Sequence, residues 1–459
     1  MVRDSQRRAS ARVLVDIGRQ AAYDALRLVS DDDAYLNLAL ARVREVHQIS
    51  GRDAAFATEL AAGTARMQGL YDAVLGQCVR GGVGSLQTEV VVALRLGVHQ
   101  LLSMRVPDYA AVATTVELVR AAAGERPVRL SNAVLRAVAG RDLDAWIELC
   151  APARARDLVG HLAVRYSHPR WVVEELAAVL GHGDALECLL AADNEPPGVT
   201  LATRPGLETR DDLATVEVRP GRWSPYAAVL AGGDPASLDA VRAGRVGVQD
   251  EGSQLVALAL LAAPVEGRDE RWLDLCAGPG GKAALLTGLA RERGAVLIAA
   301  ERLPHRARLV RSALRAYGGA PRVVSADATR APWSPGAFDR VIADVPCSGV
   351  GALRRRPESR WRRTRADVDA LVTLQRKLLD GALDSVRPGG VVAYVTCSPL
   401  LDETRGVVDT VLASRADVGE EDARRLLAVP DLGPGPHLQL WPHVHGTDAM
   451  FCAVLRRHS

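Results

Sequence analysis

Two cysteines stand fifty positions apart in short motifs, Asp344-Val345-Pro346-Cys347-Ser348-Gly349 and Thr396-Cys397-Ser398. A buried thiol is ordinarily a small hydrophobe, which is the reading for Cys78 and Cys188. Cys347 and Cys397 differ because each follows an apolar run that reads as a strand, and an acid, Asp344, stands beside one of them. Two thiols and a carboxylate at the ends of neighbouring strands form a reaction constellation, in which a thiolate can serve as nucleophile. A third motif, Asp274-Leu275-Cys276-Ala277-Gly278-Pro279-Gly280-Gly281-Lys282, lies where a strand gives way to a helix. Its glycines let a ligand approach bare backbone. A P-loop is excluded, because Cys276 occupies the first glycine position and Ala283 replaces the hydroxyl that would hold magnesium. A dinucleotide-type turn remains open: Gly278, Gly280 and Ala283 fit G-x-G-x-x-A, and Glu301 lies about 20 residues on, where a ribose-binding acid belongs. A tight turn without a ligand also remains open.

These residues need a parallel sheet to bring them to one edge. From Arg271 onward, strands and helices alternate. Strands are expected over Trp272 to Leu275, Ala295 to Ala300, Arg322 to Val324, Asp339 to Ala343 and Val391 to Val395. Helices are expected over Lys282 to Arg293, Pro304 to Tyr317 and Ala366 to Val386. Pro388, Gly389 and Gly390 read as the turn into the fifth strand, and Ala449 to Leu455 as a further one. From about Ala9 to Ala139 apolar residues recur at helical spacing, as in Val13, Leu14 and Ile17 or Val90, Val91, Leu94 and Val98. Gly81, Gly82, Gly84 and Pro107 punctuate that stretch as turns. Between them lies a mixed region, helical around Trp171 to Leu180 and β-like at Val199 to Ala202, Val216 to Val218 and Ala227 to Leu230. The expected organisation is multidomain: an all-α domain over 1–140, a small α+β connector over 141–247 and an α/β Rossmann-like domain over 248–459.

Composition sets the bounds. A chain of 459 residues, 48% hydrophobic and 24% charged, has ample apolar surface for two or three cores. Net charge is +2, so any affinity for a polyanion must come from local patches. The seven cysteines are scattered and never spaced C-x-x-C, which argues against a disulfide framework or zinc ribbon and suits free thiols in a reducing cytoplasm. No metal site is expected. The opening MVRDSQRRAS is polar, and no run of about 18 or more apolar residues occurs, so neither a signal peptide nor a membrane span is expected. Lys282 and Lys377 are the chain's two lysines against a strong arginine bias. A position that keeps lysine against that bias needs a compact ammonium rather than a planar fork.

The three motifs together resemble those of the RNA cytosine-carbon-5 methyltransferases. The helical front half resembles a NusB-like RNA-binding domain at RDAAFATELAAGT (Arg52 to Thr64), LRLGVHQLL (Leu94 to Leu102), VATTVEL (Val112 to Leu118) and SNAVLR (Ser131 to Arg136). With Gln249-Asp250-Glu251-Gly252-Ser253-Gln254 ahead of the cofactor turn, the likeness spans nearly the whole chain and points to the Sun/Fmu-type (RsmB-like) enzymes of small-subunit ribosomal RNA. Two positions depart from that family: Gly278 stands where alanine is frequent and Ala283 where threonine is frequent.

What the resemblance implies is specific. Cys397 would be the nucleophile that adds to carbon 6 of the cytosine, and Cys347 would assist release of the methylated base. Asp344 would lie against the base, and Lys282 would lower the Cys397 thiol, whose ordinary pKa is about 8.5. The turn from Cys276 through Ala277, Gly278, Pro279, Gly280 and Gly281 to Lys282, with Asp344, would hold S-adenosylmethionine; Glu301 would take its ribose and Asp327 its adenine amine. The basic run after Cys347 suggests phosphate contacts from Arg354, Arg355, Arg356 and Arg360, with stacking on Trp361. The target base must be flipped or single-stranded to reach the thiols. The expected partner is small-subunit ribosomal RNA and the expected state a monomer. Two other readings stay open: an RNA-binding assembly factor with an idle catalytic domain, and a nicotinamide-dependent oxidoreductase resting on the glycine pattern alone.

Overall fold

The computed structural model describes residues 15–32, 34–213, 216–319 and 322–458; the helical spacing expected at Val13 and Leu14 lies outside them. The chain forms two compact units, one running to Glu174 and including Arg356–Arg362, the other comprising Glu175–Arg355 and Arg363–Ser459.

The first unit is helical. Its helices include Ile17–Asp31, Gly51–Arg66, Gln68–Cys78, Thr88–Leu102, Asp108–Ala123 and Val128–Val138. Asp16 caps the first by accepting from the amide of Arg19 at 3.0 Å, meeting one of the donors every helix start leaves open. Apolar stripes that include Leu60, Leu70, Leu75, Leu94 and Leu135 close into one core. The helices run past the expected boundary at residue 140. Trp146, on Leu143–Cys150, is buried in that same core, and its indole donates to the carbonyl of Val138 at 2.9 Å. Burying a side chain of that size is worth roughly 2–3 kcal/mol, enough to hold its helix to this unit. The expected connector over 141–247 is therefore divided: its helical start belongs to the first unit and its sheet to the second.

That sheet is small and antiparallel, with strands β1 (Val199–Thr203), β2 (Val218–Pro220), β3 (Ala227–Leu230) and β4 (Val246–Val248) in the order β2-β3-β1-β4. The larger sheet is built from β5 (Arg271–Asp274), β6 (Val296–Glu301), β7 (Val323–Ser325), β8 (Phe338–Asp344), β9 (Val386–Thr396), β10 (Val418–Glu421), β11 (Leu438–Gln439) and β12 (Phe451–Arg457). Strands run β10-β12-β9-β8-β5-β6-β7, with β11 also on β12. The stretch from β9 to β7 is parallel, and β12 turns back antiparallel on β9. Helices Gly281–Glu292, Pro304–Leu314 and Arg365–Ser385 supply the crossovers that parallel pairing demands. Strand order reverses at β5, which pairs with β6 on one side and β8 on the other, so the crevice for a ligand opens at their carboxyl ends.

Buried strands ordinarily lack charge, yet β8 carries Asp339 and Arg340. Each is paired: Asp339 accepts from Arg268 at 2.9 Å and Arg387 at 2.6 Å, and Arg340 grips Asp269. One expectation differs in detail. Pro388, Gly389 and Gly390 do not precede β9 but bulge within it, since Phe338 pairs with Val386 while Arg340 pairs with Val391. Proline donates no ladder hydrogen bond and Gly389 sits at φ 77°, so the extra residues leave the register without ending the strand.

Candidate active site

At the end of β5 the chain turns through Leu275 to Gly280. The amide of Leu275 donates to Ile342 of β8 and that of Ala277 to Ala300 of β6, both at 2.9 Å, so the turn is pinned to the strands flanking the crevice. Gly280 has φ 113°, open to glycine but strained for other residues, and it caps the helix Gly281–Glu292. At Gly278 a β-carbon would collide with Oε2 of Glu301, and Arg306 donates to its carbonyl at 2.8 Å. Glu301 ends β6, buried, with Oε1 taking the amide of Leu303 at 2.9 Å. Asp327 follows β7 and is exposed; Oδ1 accepts from the amide and hydroxyl of Thr329, bonds that hold its carboxyl below the usual range. Burial, ahead of any nearby charge, pushes the Cys276 thiol up, so this third cysteine stays neutral.

Lys282, on the first turn of the helix, reaches across to β8, where its Nζ lies 2.8 Å from Oδ2 of Asp344. The pair is mostly covered, at 11% and 28% side-chain exposure. Burial opposes the ammonium charge, but Asp344, with Cys397 and Asp274 behind it, holds the Lys282 pKa above its ordinary value. Strands β8 and β9 are neighbours in register, with Asp344 opposite Val395, so the loops that follow them meet. The Sγ atoms of Cys347 and Cys397 lie 3.4 Å apart. Their hydrogen bond separates their acidities. It lowers the Cys397 thiol, against burial and Asp344 and with the help of Lys282, and it raises the Cys347 thiol well above its ordinary value, aided by burial. Either sulfur can donate in this contact, and the two shifts make Cys397 the more acidic thiol of the pair and Cys347 the less acidic.

Sequence reasoning quoted Asp274 within the motif but gave it no role. The carboxyl is 1% exposed, and the backbone amide of Cys276 is a donor that faces it. Burial and the nearby Asp344 push it up to about 8 against the pull of Lys282, so Asp274 is largely protonated at neutral pH. Asp250 and Asp448 were also missed as partners: both lie 2.6 Å from the guanidinium of Arg355. Burial, then Asp250, raises the Asp448 carboxyl to about 6.

The arginine run is a correction. Arg354 is buried and donates to the carbonyl of Gly446 at 2.8 Å, and Arg355 is taken up by the two aspartates. Arg356 lies over the ring of Tyr35, 4.8 Å from its centroid. Arg360 is 1% exposed and donates to the carbonyls of Arg66 and Ser167 at 3.1 and 2.8 Å. Trp361 packs against Gly69, where a β-carbon would strike its ring. A guanidinium carries five donors, and those of Arg354, Arg355 and Arg360 are turned to acceptors of the protein itself, while Arg356 is exposed. Among the described residues no helix is long and apolar enough to cross a membrane, and no cluster of three or more His, Cys, Asp or Glu could hold a metal.

Against known proteins, the family model described as 16S rRNA methyltransferase RsmB/F matches residues 259–456, and that of the NusB family matches residues 16–140. A putative methyltransferase of Mycobacterium tuberculosis is 50% identical over 448 residues, covering 96% of this chain and 97% of that protein. A protein of Pseudomonas syringae named ribosomal RNA small subunit methyltransferase B is 32% identical, covering 95% of this chain and 96% of its own length. The crystal structure of PH0851 superimposes with a TM-score of 0.79 at 21% identity, covering 97% of this chain and all of that one. NSun6 from Pyrococcus horikoshii, solved with SFG, gives 0.54 at 18% identity over 63% of this chain and 98% of its own. Both likenesses bear on the fold.

Proposed function

The chain belongs to the 16S rRNA methyltransferase RsmB/F family, and we propose that it methylates carbon 5 of a cytosine in 16S ribosomal RNA through a covalent adduct on Cys397. The observation that carries this reading is the pair of sulfurs 3.4 Å apart beside the Lys282–Asp344 ion pair. A methyltransferase acting on a nitrogen or oxygen has no need of two thiols at one point. Carbon 5 of cytosine is a poor nucleophile, and a thiolate added at carbon 6 makes it electron-rich.

S-adenosylmethionine, the methyl donor of the family, supplies an electrophilic methyl group when bound. The residues of the turn fit it: Gly278, Gly280 and Gly281 carry no side chain over the turn, the buried Glu301 suits the two hydroxyls of a ribose, and the buried carboxyl of Asp274 ends the strand that leads into the turn. Asp327, at the rim, is assigned to the adenine amine.

Cys397 attacks carbon 6: the S–C6 bond forms, and the C5–C6 π pair moves toward carbon 5. Asp344, with one oxygen held by Lys282, accepts a hydrogen bond from the ring nitrogen as that nitrogen takes a proton from solvent, and so favours the attack. Lys282 balances the charge that Asp344 and Cys397 place side by side. After carbon 5 is methylated its proton passes to solvent water, the C–H pair re-forms the C5–C6 double bond, and the S–C6 pair returns to Cys397. Cys347, still protonated, donates to that sulfur and makes it a better leaving group. The enzyme is assigned to the cytoplasm and to action as a monomer, with a single-stranded or flipped cytosine as target.

The test is incubation of the full-length protein with naked small-subunit RNA and methyl-labelled S-adenosylmethionine, followed by nucleoside analysis. Label in 5-methylcytidine is expected. Label in another nucleoside, or none, contradicts the proposal.

A further inference from the structure

Each cysteine motif places a serine directly after its cysteine, and both serines lead to one carboxylate. Glu403, in the short helical turn Leu401–Glu403, is 0% exposed. Oε1 accepts from the amide of Ser348 at 2.7 Å and from the side-chain amide of Gln375 at 3.0 Å. Oε2 accepts from the hydroxyl of Ser398 at 2.6 Å and from that of Ser348. The same Gln375 nitrogen donates to the carbonyl of Pro346 at 2.9 Å, and the Tyr394 hydroxyl donates to the Glu403 carbonyl at 2.7 Å.

The Ser348 hydroxyl also lies 3.2 Å from that of Ser398, but its contact with the carboxylate is the shorter of the two. The Ser398 oxygen already accepts from the amide of Leu400 at 3.2 Å, and the Ser348 oxygen from that of Val350 at 3.5 Å. A hydroxyl has one proton, so each serine spends it on the carboxylate, and four donors fill the four lone-pair sites that a carboxylate offers. Neither oxygen has capacity left for substrate, and the side chain touches no reacting atom.

We propose that Glu403 is a positioning residue which, by binding the serine beside each cysteine, fixes the separation of the two thiols. This rests on the two-thiol reading above. The carboxylate has a second effect, since its charge adds to the forces raising the Cys347 thiol. Cys347 is faced by Cys397 and Glu403, and Cys397 by Asp344, Lys282 and Asp448.

Glu403→Gln keeps the shape but turns two acceptor sites into donors, which oppose the donors already there. Two readouts on the full-length protein test the inference. The first is iodoacetamide alkylation of each cysteine against pH, read by peptide mass without substrate. In the wild type Cys397 reacts below the ordinary thiol range and Cys347 far above it. In Glu403→Gln the two profiles should converge, Cys347 moving down and Cys397 up. The second is methyl transfer: kcat should fall about tenfold or more, the cost of breaking a hydrogen bond to a charged group, with KM for S-adenosylmethionine within about twofold. Glu403→Asp, which keeps the charge, should recover the Cys347 profile more than kcat. If Glu403→Gln fails to fold, Ser398→Ala removes one arm and should give a smaller change of the same sign in both readouts. Unchanged alkylation profiles and kcat in these variants overturn the inference. Converging profiles in a protein whose wild type methylates no RNA would instead leave Glu403 as the spacer and sink the functional reading.

Discussion

Asp274 is a buried acid in a cofactor turn, and its cost can be worked out. Its carboxyl titrates near 3.8 in the unfolded chain and is pushed up to about 8 in the fold. Between those values the folded state holds a proton that the unfolded state has released, so stability falls as pH rises through the window. The contribution is whole below about pH 4 and gone above about pH 8. A shift of 3.8 to 8 at about 1.36 kcal/mol per unit gives a ceiling of about 6 kcal/mol, and relaxation or water entry around the ionised group will reduce it. Asp274→Asn removes the ionisation and keeps the shape. Relative to wild type, the variant should therefore gain stability from pH 5 to pH 8, by several kcal/mol and by no more than that ceiling. Urea unfolding of both proteins at the two pH values measures the difference. Parallel behaviour, or a variant that loses ground as pH rises, would refute the claim that Asp274 is buried neutral. The functional corollary is that below pH 8 Asp274 leaves the charge of Lys282 to Asp344 and Cys397.

Other substitutions probe the remaining assignments. Lys282→Arg keeps the charge but brings a planar fork into a slot shaped for one ammonium 2.8 Å from Asp344; kcat should fall at least about tenfold in steady-state methyl transfer, and wild-type turnover would show that charge alone matters there. Arg360→Ala strips a donor from the carbonyls of Arg66 and Ser167 and should cost the helical unit roughly 2–4 kcal/mol in urea unfolding. The salt dependence of RNA affinity in that variant should match wild type, whereas a slope reduced by about one phosphate contact would return Arg360 to the nucleic-acid interface.

The ends of strands were the legible part of this chain. Asp274, Asp344 and Thr396 each close an apolar run, and the βαβ alternation puts such ends on one edge, so the turn and the two cysteines could be placed together from spacing alone. Arg360 misled because a local excess of charge beside a catalytic loop reads as phosphate contact, while its acceptors lie 294 and 193 positions away in the chain and become partners only on folding. Glu403 was hidden for a related reason. Nothing near it in sequence marks an acid as buried, although the serine after each cysteine was a signal, since a buried hydroxyl needs a hydrogen-bond partner. The compact helical unit continues past residue 140 to Glu174, and Trp146, buried in its core, is one of the residues that join the next helix to it.

The central claim, that Cys397 bonds to the pyrimidine and Cys347 helps it leave, has a direct measurement. Cys347→Ala and Cys397→Ala are each incubated with small-subunit RNA and S-adenosylmethionine, denatured, and resolved for a protein–RNA complex that survives denaturation. The account predicts that the complex accumulates with Cys347→Ala and is absent with Cys397→Ala. A complex formed by Cys397→Ala, or by neither variant, would contradict it.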